Sequence, residues 1–210
     1  MRLFIVFFFL IVFPFIGNSQ NLIIDDTNSF KKGIYRSFHE FKYNTPSVPL
    51  PDGYMIEEDS RKYSMGGMDT VSSGKHINYH LILPDESLRN DSIWGFCDGK
   101  NIYYNGDHFY RPQSKFERIS YLGRYCYFPL WRPKEPTSLH TFLPNRVMRM
   151  GININNGMVF EIGYTYMKAI LSKDPIIYAK YKQESNKDKS EKNIQYLREY
   201  SESHEDEIKR

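Results

Sequence analysis

MGININNGMVFEIGYTYMKAILSKDPIIYAKY, residues 150–181, is where the hydrophobic rhythm of this chain changes. Met150, Ile152 and Ile154 alternate with Gly151 and Asn153, and after Asn155-Asn156-Gly157 the same spacing of two recurs at Met158, Phe160 and Ile162. A period of two is that of a strand with one face on a core, and Asn-Asn-Gly between two such runs is hairpin chemistry. A two-residue Asn156-Gly157 turn would set Ile152 against Glu161. A three-residue loop with Gly157 left-handed sets Ile154 on Met158, Ile152 on Phe160 and Met150 on Ile162, which keeps one face apolar and is the preferred register. From Thr165 the spacing becomes helical. Met167, Ile170 and Leu171 fall at i, i+3 and i+4 behind Thr165 as N-cap. Asp174-Pro175, a cap followed by a first-turn proline, opens a second helix with the face Ile177, Tyr178 and Tyr181. Strands giving way to helices predict an α+β chain, a mostly antiparallel β-sheet or meander followed by about three C-terminal α-helices.

Working outward, residues 182–190 read as a polar loop. Ser190 then caps a third helix with the face Ile194, Tyr196, Leu197 and Tyr200, and residues 201–210 form a charged, flexible tail. On the other side, residues 129–145 hold Pro129, Pro133, Pro136 and Pro144 and read as a long irregular loop, with a strand over 119–128 before it. Residues 93–97 and 100–104 flank Asp98-Gly99, a two-residue hairpin signal that would place Trp94 opposite Tyr103. Asn105-Gly106 repeats it, placing Tyr103 opposite His108 and lining up Gly95, Ile102 and Phe109. Ile77, Tyr79, Leu81 and Leu83 alternate with His76, Asn78, His80 and Ile82, a half-buried strand closed by Pro84. Ser37-x-x-Glu40 is a capping box for a short helix through Phe41 and Tyr43, ended by Thr45-Pro46. Residues 46–53 connect onward.

The first residues bear on compartment. Arg2 precedes residues 3–17, which carry no charge, and Gly17-Asn18-Ser19 places small residues where a signal peptidase reads. Residues 1–19 are expected to be a cleaved signal peptide, with the mature chain starting at Gln20. The run is short of the roughly 20 residues a membrane span needs, and no later segment reaches that length. No cysteine follows it, so the signal is not that of a lipoprotein. The expected location is periplasmic, cell-surface or extracellular. The remaining organisation reads as a β-rich part over 20–163 and a helical part over 164–200 packed on the sheet. A net charge of +3, of which cleavage removes only Arg2, is too weak to argue for nucleic acid. Six of the 15 phenylalanines lie in the signal, whereas all 17 tyrosines remain, and a tyrosine-rich chain suits strands with one wet face.

No residue set names a chemistry. His76 and His80 on a strand stand about 13 Å apart, too far to share a zinc whose ligands lie about 2 Å from it. His39-Glu40 lacks the second histidine of a zinc-protease helix, since residue 43 is Tyr. Cys97 and Cys126 either form a disulfide in an oxidising compartment or remain buried thiols; strand geometry decides. Asp98 beside Gly99 reads as a turn residue. Met65-Gly66-Gly67-Met68 reads as a flexible loop, without a phosphate-binding pattern. Trp94, Tyr103, Tyr104, Tyr110 and Trp131 would make a stacking platform for sugars or ordinary cross-strand pairs. No catalytic, cofactor-binding or metal-ligating residue is therefore assigned.

Three pieces taken together carry a resemblance. Gly33-Ile34-Tyr35 precedes Ser37-Phe38-x-x-Phe41 and Thr45-Pro46-Ser47. Trp94-Gly95-Phe96-Cys97-Asp98-Gly99-Lys100-Asn101-Ile102-Tyr103 is the second piece. Leu171-x-x-Asp174, Tyr178-x-x-Tyr181 and Tyr196-Leu197-x-x-Tyr200 are the third. This order resembles uncharacterised exported proteins of Bacteroidota type. The resemblance implies export and the same strand-then-helix order, and it brings no activity and no site residues. The leading expectation is a non-catalytic envelope or secreted protein that binds an envelope protein or a glycan. A hydrolase with a non-local site and a sugar-binding module are the alternatives.

Overall fold

The computed structural model describes residues 30–67, 70–84, 93–106, 115–132 and 146–204. The expected signal peptide, residues 20–29, His108 to Tyr110, the prolines of 133–145 and the last six residues lie outside them.

The described chain forms two antiparallel sheets and a C-terminal layer of helices, an α+β architecture. The first sheet takes β1 (Gly33–Tyr35), β2 (Met55–Gly67), β3 (Thr70–Ile82), β4 (Gly95–Cys97), β5 (Ile102–Asn105) and β6 (Phe116–Arg118), in the order β1-β4-β5-β6-β3-β2. A helix, α1 (Phe38–Lys42), follows β1. The second sheet is β7 (Tyr125–Arg132), β8 (Arg146–Asn153) and β9 (Val159–Glu161) in chain order. Then come α2 (Tyr164–Leu171), α3 (Pro175–Gln183) and α4 (Asn186–Ser203).

Strand alternation decides the layering. Along β7, Cys126, Phe128 and Leu130 join Met148, Met150 and Ile152 of β8 and pack on Tyr35, Cys97, Ile102 and Tyr104 of the first sheet. Tyr125 turns the other way and, with Phe160 and Ile162, meets Met167, Ile170 and Leu171 of α2, Ile177 and Tyr181 of α3, and Tyr196, Leu197 and Tyr200 of α4. The small sheet is therefore covered on both faces. The first sheet divides likewise: Ile34, Phe96, Tyr103, Phe116, Tyr79 and Leu81 fill a third cluster with Leu50 and Ile93. Both expected glycine turns have positive φ, +97° at Gly99 and +74° at Gly157.

Several local expectations are corrected. The 98–99 turn is longer than two residues: Gly95 faces Tyr104, Phe96 faces Tyr103 and Cys97 faces Ile102. The Asp98 carboxylate accepts from the backbone N–H groups of Lys100 (2.7 Å) and Asn101 (2.6 Å), which builds a four-residue loop. Tyr103 faces Arg118 on its other side rather than His108, because β5 pairs with β6 across 106–115. Met150 faces Glu161 and Ile152 faces Val159, a register one step from the preferred three-residue loop and two steps from the two-residue turn. With both faces of this sheet buried, no single apolar face had to be conserved. Residues 119–128 are not one strand. The chain leaves the first sheet after Arg118, bends at Gly123 and Arg124, and enters the second sheet at Tyr125. β7 runs on through Pro129 to Arg132, where a proline is tolerated because β7 is an edge strand. Met65 to Gly67 belong to β2, in a hairpin paired from Met55↔Ile82 to Gly67↔Thr70, so the flexible-loop reading is replaced by a strand end.

Among the helices, Ser37 caps α1 as expected, accepting from Glu40 N at 3.2 Å. The Glu40 carboxylate reaches past the cap to accept from Arg36 N (2.7 Å) and the Ser47 hydroxyl (3.0 Å). Asp174 caps α3, with Pro175 in its first turn. Gly163, not Thr165, stands at the N-cap of α2, with no side-chain cap. Ser185, not Ser190, caps α4, and the expected polar loop contributes that helix's first turn.

Candidate functional site

The densest buried polar group joins the two sheets. His76 and Asn78 share a face of β3, and Glu117 projects from β6, the strand beside it. The His76 and Glu117 side chains are 4% and 3% exposed. His76 Nε2 lies 2.8 Å from Asn78 Oδ1, 3.2 Å from Glu117 Oε1 and 3.0 Å from Glu117 Oε2. The hydrogen-bonding contacts are those to Asn78 Oδ1 and Glu117 Oε1, which an Nε2–H tautomer of the ring would serve as donor. The imidazole stacks on Trp131 of β7, with ring centroids 6.0 Å apart and planes at 18°. Trp131 N donates to Glu117 Oε1 at 3.2 Å, which ties the carboxylate to the second sheet as well. Asn78 Nδ2 and Trp131 Nε1 find no acceptor among the described residues. A group admitted here would have to accept hydrogen bonds.

An acid, an imidazole and an amide are the parts of acid–base chemistry, yet here they are closed from solvent and hold each other. The His76–Glu117 and Trp131–Glu117 hydrogen bonds tie the two sheets together, and removing Glu117 would leave further buried polar atoms unsatisfied at about 1–3 kcal/mol. The half-buried expectation for this strand is corrected at His76 and Asn78, whose face is covered by the second sheet. Glu117 was not singled out from the sequence; nothing in the spacing links it to His76, and only the β3–β6 pairing brings them together.

The other weighed residues are placed as follows. His80 Nε2 stands 4.0 Å from Asp59 of β2, away from His76 along the strand. Asp98 is a turn residue. Burial by itself would raise its carboxyl, but the N–H groups of Asn101 and Lys100, the Asn101 amide and the Tyr103 hydroxyl outweigh it and hold the group below its ordinary value. Burial, with the negative Asp98 beside it, pushes the Tyr103 hydroxyl upward. Cys97 and Cys126 are both free and buried. Burial raises both thiols, Cys126 to about 12. Tyr103, Tyr104 and Trp131 are buried, and Trp94 is half-buried against Phe38, Phe41 and Tyr104. Tyr110 lies outside the described residues. The described members of the aromatic platform are thus core, not a surface for sugars. Among the described residues no cluster of His, Cys, Asp and Glu is arranged to hold a metal, and no helix is long and apolar enough to cross a membrane.

No family model, curated protein or solved structure matches the chain.

Proposed function

We propose that this is an exported, non-catalytic protein that binds a protein component of the cell envelope or the secreted space. The observation that carries the reading is the outer side of α2 and α3. Tyr164, Tyr166 and Ile176 are 59%, 45% and 72% exposed, while the inner faces of the same helices are filled by Met167, Ile170, Leu171, Ile177 and Tyr181. Large apolar side chains held on short, well-anchored helices are what a protein contact uses, tyrosine above all, since it offers area with little loss of rotamer freedom. The charge-free run after Arg2 supports export.

The test is cross-linking in the native cell with a photoreactive residue in place of Tyr166, followed by mass spectrometry. One recurring envelope or secreted protein is expected. Tyr164→Ser with Ile176→Ser should abolish that product without moving the thermal midpoint, because neither side chain is in the core. Diffuse products unaffected by those substitutions would overturn the reading. So would a hydrolytic activity of the purified chain that Glu117→Gln abolishes. Export is checked separately by N-terminal sequencing of the envelope fraction: a start at Gln20 is expected, and one at Met1 would remove the cleavage.

A further inference from the structure

β2 is the last strand of the six-stranded sheet, and among the described residues its only strand partner is β3. Its middle reads Glu57-Glu58-Asp59-Ser60-Arg61-Lys62, acids before Ser60 and bases after it. Glu57, Glu58, Ser60 and Lys62 are exposed. Asp59 and Arg61 pair with each other at 2.8 Å along one face. Glu58 and Lys62 have no ion-pair partner among the described residues, and on a strand they stand about 13 Å apart, too far to meet. Lys62 moreover lies directly opposite Lys75 of β3, a like-charge pair that disfavours the hairpin.

We propose that two copies of this chain join edge to edge through β2, antiparallel, about a twofold axis at Ser60. A twofold perpendicular to a sheet must set a residue opposite its own copy, since opposed side chains share a face. Centring at Asp59 or Arg61 would oppose two like charges. Centring at Ser60 opposes Glu58 with Lys62 of the second copy and Asp59 with Arg61 of the second copy, each twice. It also brings to the Lys62–Lys75 pair a carboxylate that no described residue of the same chain supplies. The second copy is the occupant because the run complements itself in charge about Ser60. The proposal uses other elements than α2 and α3 and does not rest on the proposed function.

The experiment is sedimentation equilibrium of the mature chain over a wide concentration range. A monomer–dimer equilibrium is expected, weakening with salt. Glu58→Lys alone, or Lys62→Glu alone, should weaken it roughly tenfold or more, because each turns two attractions into two repulsions. The double variant Glu58→Lys/Lys62→Glu should regain the wild-type constant, since the lysine and the glutamate have exchanged places across the axis. The thermal midpoint of the dilute variants should not fall below that of the wild type, and Lys62→Glu, which puts a carboxylate opposite Lys75, should if anything raise it; this separates lost pairing from lost folding. A monomer at every concentration, or a double variant no better than the single ones, would overturn the proposal and leave the charges as guards against strand addition.

Discussion

Two glycines three residues from the buried Phe96–Tyr103 stack, or next to it, fail for different reasons when replaced. Gly99 turns through φ +97° with nothing near the place a Cβ would occupy, so a substitution there is strained by conformation alone. Gly99→Val should lower stability by about 1–3 kcal/mol, read from the denaturant midpoint at constant slope. An unchanged midpoint would mean that the 98–101 loop is misassigned. At Gly95 a Cβ would instead strike the Tyr103 carbonyl oxygen, which is backbone and has no rotamer to escape into. Gly95→Ala should therefore cost on the order of 1–3 kcal/mol despite its single methyl. Asp98 adds a pH dependence. Its carboxyl titrates lower folded than unfolded, so its stabilising effect is present above the unfolded value near 4 and fades as the pH falls through the folded one. Thermal midpoints measured from about pH 5 downward should fall less steeply for Asp98→Asn than for the wild type. The turn role of Asp98-Gly99 was legible because an Asx turn is made within four consecutive residues. His76 and Glu117 were not legible as partners, since their contact exists only once β3 and β6 are paired.

At the scale of elements, helix faces could be read from spacing and helix starts less well. Met167, Ile170 and Leu171, then Ile177 and Tyr181, then Tyr196, Leu197 and Tyr200 are all buried as the 3.6-residue period requires. The start of α4 was misplaced because Ser185 and Ser190 are both acceptable caps. Ser185 has Asp188 at the third helical position, and its hydroxyl accepts from the Asp188 backbone N–H at 3.1 Å while donating to the Asp188 carboxylate at 2.6 Å. Ser185→Ala should cost about 1 kcal/mol, and Ser190→Ala, whose side chain is exposed on the helix, should cost much less. Equal effects at the two positions would return the helix start to Ser190. Strand registers were harder. Side chains such as Asp98 enlarge loops by bonding backbone, and each added residue moves every pair beyond it. The strand expected over 119–128 hid a change of sheet, since Ile119, Leu122 and Cys126 are apolar whichever sheet receives them.

The whole molecule depends on the small sheet having two covered faces. Removal of residues 164–210 would leave Tyr125, Phe160 and Ile162 without the helices they pack on, and short helices in turn have little stability without that packing. The truncated chain should aggregate or lose cooperative unfolding in a thermal melt, whereas a soluble, cooperatively folding fragment ending at Gly163 would show that the helices are dispensable. The two thiols report on the other side of the sheet. With Cys97 and Cys126 buried and both raised by burial, neither should react with a thiol reagent at neutral pH until denaturant is added, when both should. The order of strands and helices was open to sequence reasoning, because periodicity is local. The division into two sheets was not, because both faces of a doubly covered sheet are apolar and alternation then carries little information.

The strand order also sets a tempo. β2 and β3, β4 and β5, and β8 and β9 each meet near neighbours, but Gly33 must find Cys97 before β1 can join β4, after the whole hairpin between them has been made or set aside. Such a closure loses chain entropy before it gains contact energy, so refolding should belong to the slow, millisecond-to-second class of topologies rich in distant pairings. Trp94 stands at the seam. Its N–H donates to Tyr35 O at 2.9 Å and its ring lies 4.7 Å from that of Phe41, so its fluorescence should change in the late phase, when the N-terminal strand arrives.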